Sequence, residues 1–154
     1  MDFTFEVLTN TRNIFKGIME TYSLNDLNKI PEEFNNNIIW NIAHSVVTQQ
    51  MLCYRLSGLE VAIPTHLIDK YRKGTKPESA ISLDELHEIK NLLNSSIEKT
   101  QKDYNQGVFK AYTEYTVSTT GNTLSRIEDA LQFAVIHEGI HYGYILALMK
   151  ALKK

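Results

Sequence analysis

The sequence has a single cysteine, Cys53, among its 154 residues, so no disulfide can form within the chain. Disulfides are frequent in secreted proteins and rare in the reducing cytoplasm. The first residues, Met1 to Glu6, carry acidic side chains and no basic stretch ahead of an apolar run, unlike a secretory signal peptide. We therefore expect a cytoplasmic protein.

Long hydrophobic runs and an excess of positive charge are also missing. No apolar stretch reaches the roughly 20 residues that a membrane-spanning helix needs. Lys and Arg total 16 against 18 Asp and Glu, which gives a formal charge of −2. Proteins that bind nucleic acid usually present a basic patch to the phosphates. The composition argues against a membrane or nucleic acid as partner, so a small-molecule substrate is the expected partner.

The remaining features are those of an ordinary globular domain. Apolar residues make up 43% of the chain and charged residues 22%, which is neither disordered nor fibrous composition. A chain of this length can bury one hydrophobic core and leaves little room for a second. We predict a single domain over residues 1–154.

Four segments place apolar residues at the spacing of α-helices. They cover residues from about 3 to 22, from 38 to about 57, from 83 to near 107, and from about 123 to the C-terminus. Ser82 and Glu85 form a capping box that starts the third helix at Leu83. Gly58 ends the second helix, and Thr123 or Ser125 caps the fourth.

The connections between these helices are long. Residues 23–37 are polar and turn-rich, with a helical turn expected near Leu24, and residues 60–80 contain a short helix from Thr65 to Arg72. Residues 108–120 favour extended backbone but have no visible partner strand, so we predict a loop there. The sequence thus predicts an all-α fold, a four-helix bundle with long crossover connections.

The chemistry is concentrated in the fourth helix, where His137 and His141 lie four residues apart. On a helix this spacing puts both side chains on one face, about 5–6 Å apart at Cβ, close enough to bind one ion. They continue an apolar stripe and so point into the core. A buried imidazole needs either a hydrogen-bond partner or a metal ion. The pair is therefore equally compatible with metal ligands and with hydrogen-bonded core histidines.

His44 is the third histidine directed at the core. It lies inside the most apolar helix, whereas His66 is in a crossover and His87 is off the core stripe. A lone core histidine is more often structural, but next to the pair on helix 4 it can complete a three-histidine site. Helices 2 and 4 must then pack as direct neighbours.

Residues 137–141 also match the H-E-x-x-H pattern of zinc peptidases. Those enzymes take a third ligand from downstream, and residues 142–154 contain no His, Asp, Glu or Cys. We therefore do not predict a peptidase. Glu138 is either a general base or a residue that faces solvent or pairs with a lysine. Tyr144 is either a proton donor or a core residue. Asn41 either orients His44 or caps the helix, and Cys53 is predicted to be a core residue.

Three stretches resemble the DinB-like superfamily. They are Phe34-Asn35-Asn36-Asn37-Ile38-Ile39-Trp40-Asn41-Ile42-Ala43-His44 with Gln49-Gln50, the crossover from Pro64 to Pro77, and the closing His137-Glu138-Gly139-Ile140-His141-Tyr142-Gly143. The resemblance implies a four-helix bundle in which His44, His137 and His141 hold one divalent metal ion. It also implies either a metal-dependent hydrolase or a thiol S-transferase, since both occur among such proteins.

Three imidazole ligands leave a coordination position free for water or substrate, as in catalytic metal sites. Imidazole suits several transition metals, and zinc or nickel is the leading expectation. The alternative is a noncatalytic, stress-related protein that binds a metal or ligand on the same bundle. We expect a homodimer, and the apolar surface of the second helix would also allow a module that serves mainly to dimerise.

Overall fold

A computed structural model describes residues 1–153 as a helical bundle. Its helices are α1 (Asp2–Thr21), α2 (Leu24–Asn28), α3 (Ile38–Cys53), α4 (Thr65–Tyr71), α5 (Leu83–Asn105) and α6 (Ile127–Ala151). A 3₁₀ turn covers Arg55–Ser57, and two short strands are β1 (Tyr115–Thr116) and β2 (Thr123–Leu124). The predicted all-α fold is confirmed, with α1, α3, α5 and α6 as its long helices.

The four long helices form a ring in which each has two neighbours. Helix α3 packs along α6 and α5, and α1 packs along the same two helices from the other side. The short helices α2 and α4 lie against α3. The second and fourth long helices are therefore direct neighbours, as a site built from both requires. Among residues 1–153, no helix combines the length and the apolar character that crossing a bilayer requires.

Helix α3 is the central helix of the bundle. Fourteen of its 16 residues are buried because other elements cover nearly every face. Asn37 starts the helix by accepting a hydrogen bond from the backbone N–H of Trp40 at 2.9 Å. The apolar surface of this helix is therefore covered largely by the chain itself. The homodimer stays a prediction, and a dimer would need another surface.

Most helix ends lie close to where the capping and turn residues of the sequence predict them. The Ser82 hydroxyl accepts a hydrogen bond from the Glu85 N–H, and α5 begins at Leu83 as the capping box predicts. Both predicted short helices are present, although α4 ends at Tyr71, one residue early. Helix α3 also ends early, at Cys53, because a 3₁₀ turn intervenes before the left-handed Gly58.

The loop prediction for residues 108–120 is confirmed for most of the segment and wrong at Tyr115 and Thr116. Tyr115 and Thr116 pair in antiparallel register with Leu124 and Thr123, since the chain reverses through Gly121 at a φ of 75°. Positive φ values of this kind are favoured by glycine. Because Thr123 belongs to β2, the predicted caps are wrong as well. The N-cap position is Arg126, and Ser125 instead donates to the Asp129 carboxylate.

A buried ion pair joins three of the long helices. Arg12 on α1 donates to Oε1 of Glu138 on α6 through Nε at 2.9 Å and Nη2 at 2.7 Å. Nη2 also donates to the backbone carbonyl of Ser45 on α3 at 3.2 Å. Both side chains are essentially inaccessible to solvent. Glu138 therefore does not face solvent, because this face of α6 packs against α1, and the cation that it pairs with is an arginine instead of the expected lysine.

We predict that breaking this pair destabilises the fold more than removing it. Arg12→Leu or Glu138→Leu alone leaves a buried charge without its partner, which typically costs about 3–5 kcal/mol of unfolding free energy. The double variant leaves no unpaired charge and should lose less than either single variant. Urea denaturation of the three variants measures these losses.

Arg126→Ala provides the surface control, because its contact with Asp129 is largely exposed. Its loss should stay below about 1 kcal/mol. If the loss of unfolding free energy in the double variant equals the sum of the losses in the two single variants, Arg12 and Glu138 do not act as a pair.

Candidate metal centre

Three histidines converge between α3 and α6. The ring of His44 lies 5.1 Å from that of His137 and 4.8 Å from that of His141, and the last two rings are 4.4 Å apart, all between centroids. One ring nitrogen from each lies within 4.8 Å of the others. A zinc ion about 2.0–2.1 Å from each nitrogen would require these three atoms to come closer together than they are here. The structure thus brings together the three residues that the sequence singled out.

The other two histidines are remote from this cluster. His66 is exposed and contacts Glu88 at 2.9 Å, and His87 is exposed on α5. Neither lies in a group of three potential ligands within residues 1–153. The prediction that His66 and His87 lie outside the core is therefore confirmed.

Hydrogen bonds fix the orientation of two of the rings. Nδ1–H of His44 donates to the Tyr71 carbonyl at 2.6 Å, and Nδ1–H of His141 donates to Oδ1 of Asn41 at 2.7 Å. The amide of Asn41 is itself fixed, because its Nδ2 donates to the Asn37 carbonyl at 2.7 Å. Both imidazoles therefore carry their lone pair on Nε2, the nitrogen that could bind an ion. Such partners commonly fix the tautomer of metal-binding histidines.

Asn41 acts on a different histidine from the one expected. The prediction linked it to His44, one turn further along α3, but its side chain crosses to His141 on α6. The geometry explains this choice, because α3 and α6 are neighbours and Asn41 lies on the side of α3 that faces α6. The carbonyl of Tyr71, at the end of α4, supports His44 instead.

Aromatic rings enclose the histidines. Trp40 stacks on His44 with centroids 4.5 Å apart and planes 12° from parallel, and Phe133 lies 6.1 Å from His137. The Trp40 indole is fixed by a hydrogen bond from Nε1 to the Thr75 hydroxyl at 3.3 Å. The hydroxyl of Thr48 approaches Nε2 of His44 at 3.2 Å and can donate to its lone pair. The imidazoles are thus held in a mostly apolar environment.

This environment keeps the imidazoles neutral. Burial lowers the pKa of His44, and it lowers the pKa of His141 to about 4, with His44 adding to the effect. The pKa of His137 falls to about 2, first through burial and then through the neighbouring histidines. Metal ions bind the neutral form of imidazole. The donor set therefore fits a divalent cation.

A cavity of about 470 Å³ opens beside the three histidines. This volume lies in the range of small-molecule sites. Most of its wall is apolar, from α3, α6 and the β1–β2 segment: Val47, Met51, Leu52, Leu56, Val117, Phe133 and Ile140. Three cationic side chains also line it, namely Arg55, Arg72 and Lys73. A molecule in this cavity can reach the histidines.

Two other candidate residues lie outside the cavity. Glu138 is directed at Arg12, on the face of α6 that packs against α1. Tyr144 is 38% exposed and packs edge-on against Phe34 at 5.7 Å between centroids, so the prediction of a core position is wrong. Neither is among the residues that line the cavity. Neither is therefore placed to exchange a proton with a molecule bound there.

The family of the chain agrees with this geometry. The family model of the DinB superfamily matches residues 8–145, a range that includes all three histidines. The chain therefore belongs to the DinB superfamily. None of the curated proteins compared with it matches.

We predict that Cys53 does not react with thiol reagents in the folded protein. It is fully buried, as expected from the sequence, and burial raises its pKa to about 12. Because the thiolate is the reactive form, alkylation in mildly alkaline buffer should be slow and should become fast in denaturing urea. Mass spectrometry of protein treated with iodoacetamide follows the reaction. Rapid labelling of the folded protein would contradict the core position.

Proposed function

We propose that the protein binds one divalent metal ion through His44, His137 and His141 and uses it as an enzyme on a small molecule. The observation that carries this proposal is the position of three neutral imidazoles at the wall of a cavity of about 470 Å³. A structural metal site is usually closed by four protein ligands, whereas catalytic sites keep a position open to substrate. Three ligands beside a cavity match the second arrangement.

The family and the donor set limit the chemistry. Zinc or nickel is the proposed ion, since imidazole nitrogens suit both. When bound, such an ion polarises a substrate oxygen or lowers the pKa of a water or thiol, and this supports either hydrolysis or thiol transfer. Both reactions are therefore included in the proposal.

The residues of the chain have distinct roles in this proposal. Asn41 and the carbonyl of Tyr71 hold the rings of His141 and His44, so that their Nε2 atoms stay directed at the ion. Trp40 packs on the His44 ring and Phe133 lies beside the His137 ring, so both support the orientation of the imidazoles. Glu138 is excluded as the general base because its carboxylate is engaged by Arg12.

We predict close to one divalent ion per chain in protein purified without chelator. His44→Ala and His137→Ala should each lose most of this metal, because two imidazoles bind far more weakly than three. His66→Ala is the matched control and should keep it. Elemental analysis by mass spectrometry gives the content. Full metal retention by His44→Ala would contradict the three-histidine site.

Removal of the metal should also lower the melting temperature of the wild-type protein. A ligand that binds only the folded state stabilises it by mass action. The same chelation should leave the melting temperature of His137→Ala unchanged. An unchanged melting temperature of the wild-type protein after verified removal would show that the ion binds the folded state no more tightly than the unfolded chain.

We further predict that the metal-loaded protein turns over a substrate. A screen of carboxylic and phosphate esters tests hydrolysis, and a screen of thiols with alkylating electrophiles tests thiol transfer. The activity should disappear in His137→Ala and persist in His66→Ala. A stoichiometric metal content without turnover in either screen would overturn the catalytic part of the proposal and favour a noncatalytic binding protein.

A further inference from the structure

The cavity beside the histidines is elongated along one face of α3. His44, Val47, Thr48, Met51 and Leu52 line it at the three- and four-residue intervals that place side chains on a single helix face, and Arg55 follows in the 3₁₀ turn after α3. From His44 to Leu52 this face extends roughly 12 Å at 1.5 Å per residue. The histidines are therefore at one end of an apolar groove and Arg55 is at the other.

The opposite wall of the groove also combines histidines and apolar side chains with cations. Helix α6 contributes Phe133, His137, Ile140 and His141. The end of α4 contributes Arg72 and Lys73, and the segment around β1 contributes Val117 and Ser118. The Lys73 Nζ donates to the Ser118 hydroxyl at 2.6 Å, which ties the end of α4 to this segment. An apolar body thus meets apolar side chains over most of the groove and cations at its rim.

The distribution of arginines is the strongest observation about the rim. The chain has four arginines, and two of them are in ion pairs, Arg12 with Glu138 and Arg126 with Asp129. Within residues 1–153 the other two, Arg55 and Arg72, have no ion-pair partner, and both line this cavity. The planar guanidinium group can donate two parallel hydrogen bonds to a carboxylate or a phosphate. Two such groups with a lysine provide a place for an anion on a chain of net negative charge.

We propose that the groove binds an amphipathic oxyanion, a small molecule with an apolar body and a carboxylate or phosphate group. The body lies along α3, and the anionic group is held by Arg55 at one end of the groove or by Arg72 and Lys73, which follow the Tyr71 carbonyl that contacts His44. As a substrate class this rests on the proposed function, because the histidines would act on the part of the molecule that reaches them. The binding itself depends only on the groove and its rim.

Aliphatic probes of equal length test the two parts of the proposal. Octanoate, octyl phosphate and octanol each contain eight carbon atoms and differ in the head group. Acetate is a carboxylate without the long chain. By isothermal titration calorimetry, octanoate or octyl phosphate should bind at least about fivefold more tightly than octanol, and the advantage should shrink as salt rises. Acetate should show no measurable binding. Whichever oxyanion binds more tightly identifies the head group.

Substitutions locate the site. The double variant Arg55→Gln with Arg72→Gln should reduce oxyanion binding to the level of octanol and leave octanol binding unchanged. Arg126→Gln is the matched control, since it removes an exposed arginine that does not line the cavity, and it should bind like the wild type. Equal binding of octanoate and octanol, or an unaffected double variant, would overturn the proposal.

The titrations are made with both metal-free and metal-loaded protein. If the protein binds no metal but the oxyanion preference and its loss in the double variant remain, the proposed function fails and this inference stands. If the metal binds with full stoichiometry but the probes show no preference, this inference fails and the metal site stands. A circular dichroism spectrum of each variant confirms that it is folded.

Discussion

The packing of α3 against α6 is the constraint on which the rest of the structure depends. Both helices carry polar side chains at buried positions, and such groups cost free energy unless each finds a partner. The partners come from the neighbouring helix or from the chain beside it, as in the bond from His141 to Asn41. The two helices therefore fit together in one register, and that register is the one that places His44 opposite His137 and His141.

The buried Arg12–Glu138 pair fixes the rotation of α6 within this arrangement. Successive residues of a helix point about 100° apart, so Glu138 and His137 face different neighbours. With Glu138 held by Arg12 on α1, His137 is directed toward α3. The contact of Arg12 with the Ser45 carbonyl, next to His44, links the same guanidinium to the other helix that carries a histidine of the cluster. One side chain outside the histidine cluster thus positions both of its walls.

The features that the sequence predicted correctly depend on local spacing. The capping box at Ser82 involves neighbours three residues apart, and His137 and His141 share a face because they are four apart. His44 was identified because it is a polar residue within a continuously apolar helix. Each of these predictions needs the helical period and no knowledge of how the helices pack.

The features that were missed are formed by residues far apart in the chain. Arg12 and Glu138 are separated by 126 residues, and Asn41 and His141 by 100. The pairing of β1 with β2 spans a shorter interval, but two-residue strands have no alternating pattern to detect. The groove is also non-local, since its walls come from α3, α4, α6 and the β1–β2 segment. The residues of the groove that the sequence motifs include outside the helices are Arg72 and Lys73, in the crossover from Pro64 to Pro77.

The charges around the histidines explain how the centre and the groove fit together. Three neutral imidazoles contribute no negative charge, and the nearby carboxylate of Glu138 is already compensated by Arg12 at 2.7 Å. A divalent ion held there would keep its full charge, in a site where burial weakens the screening by water. The cations of the rim add to the same positive potential. A molecule with an apolar body and a negative group gains from both, whereas a cation of similar shape is repelled. The protein would then select small molecules through positive charges, those of the ion and of the rim, that its own carboxylates do not neutralise.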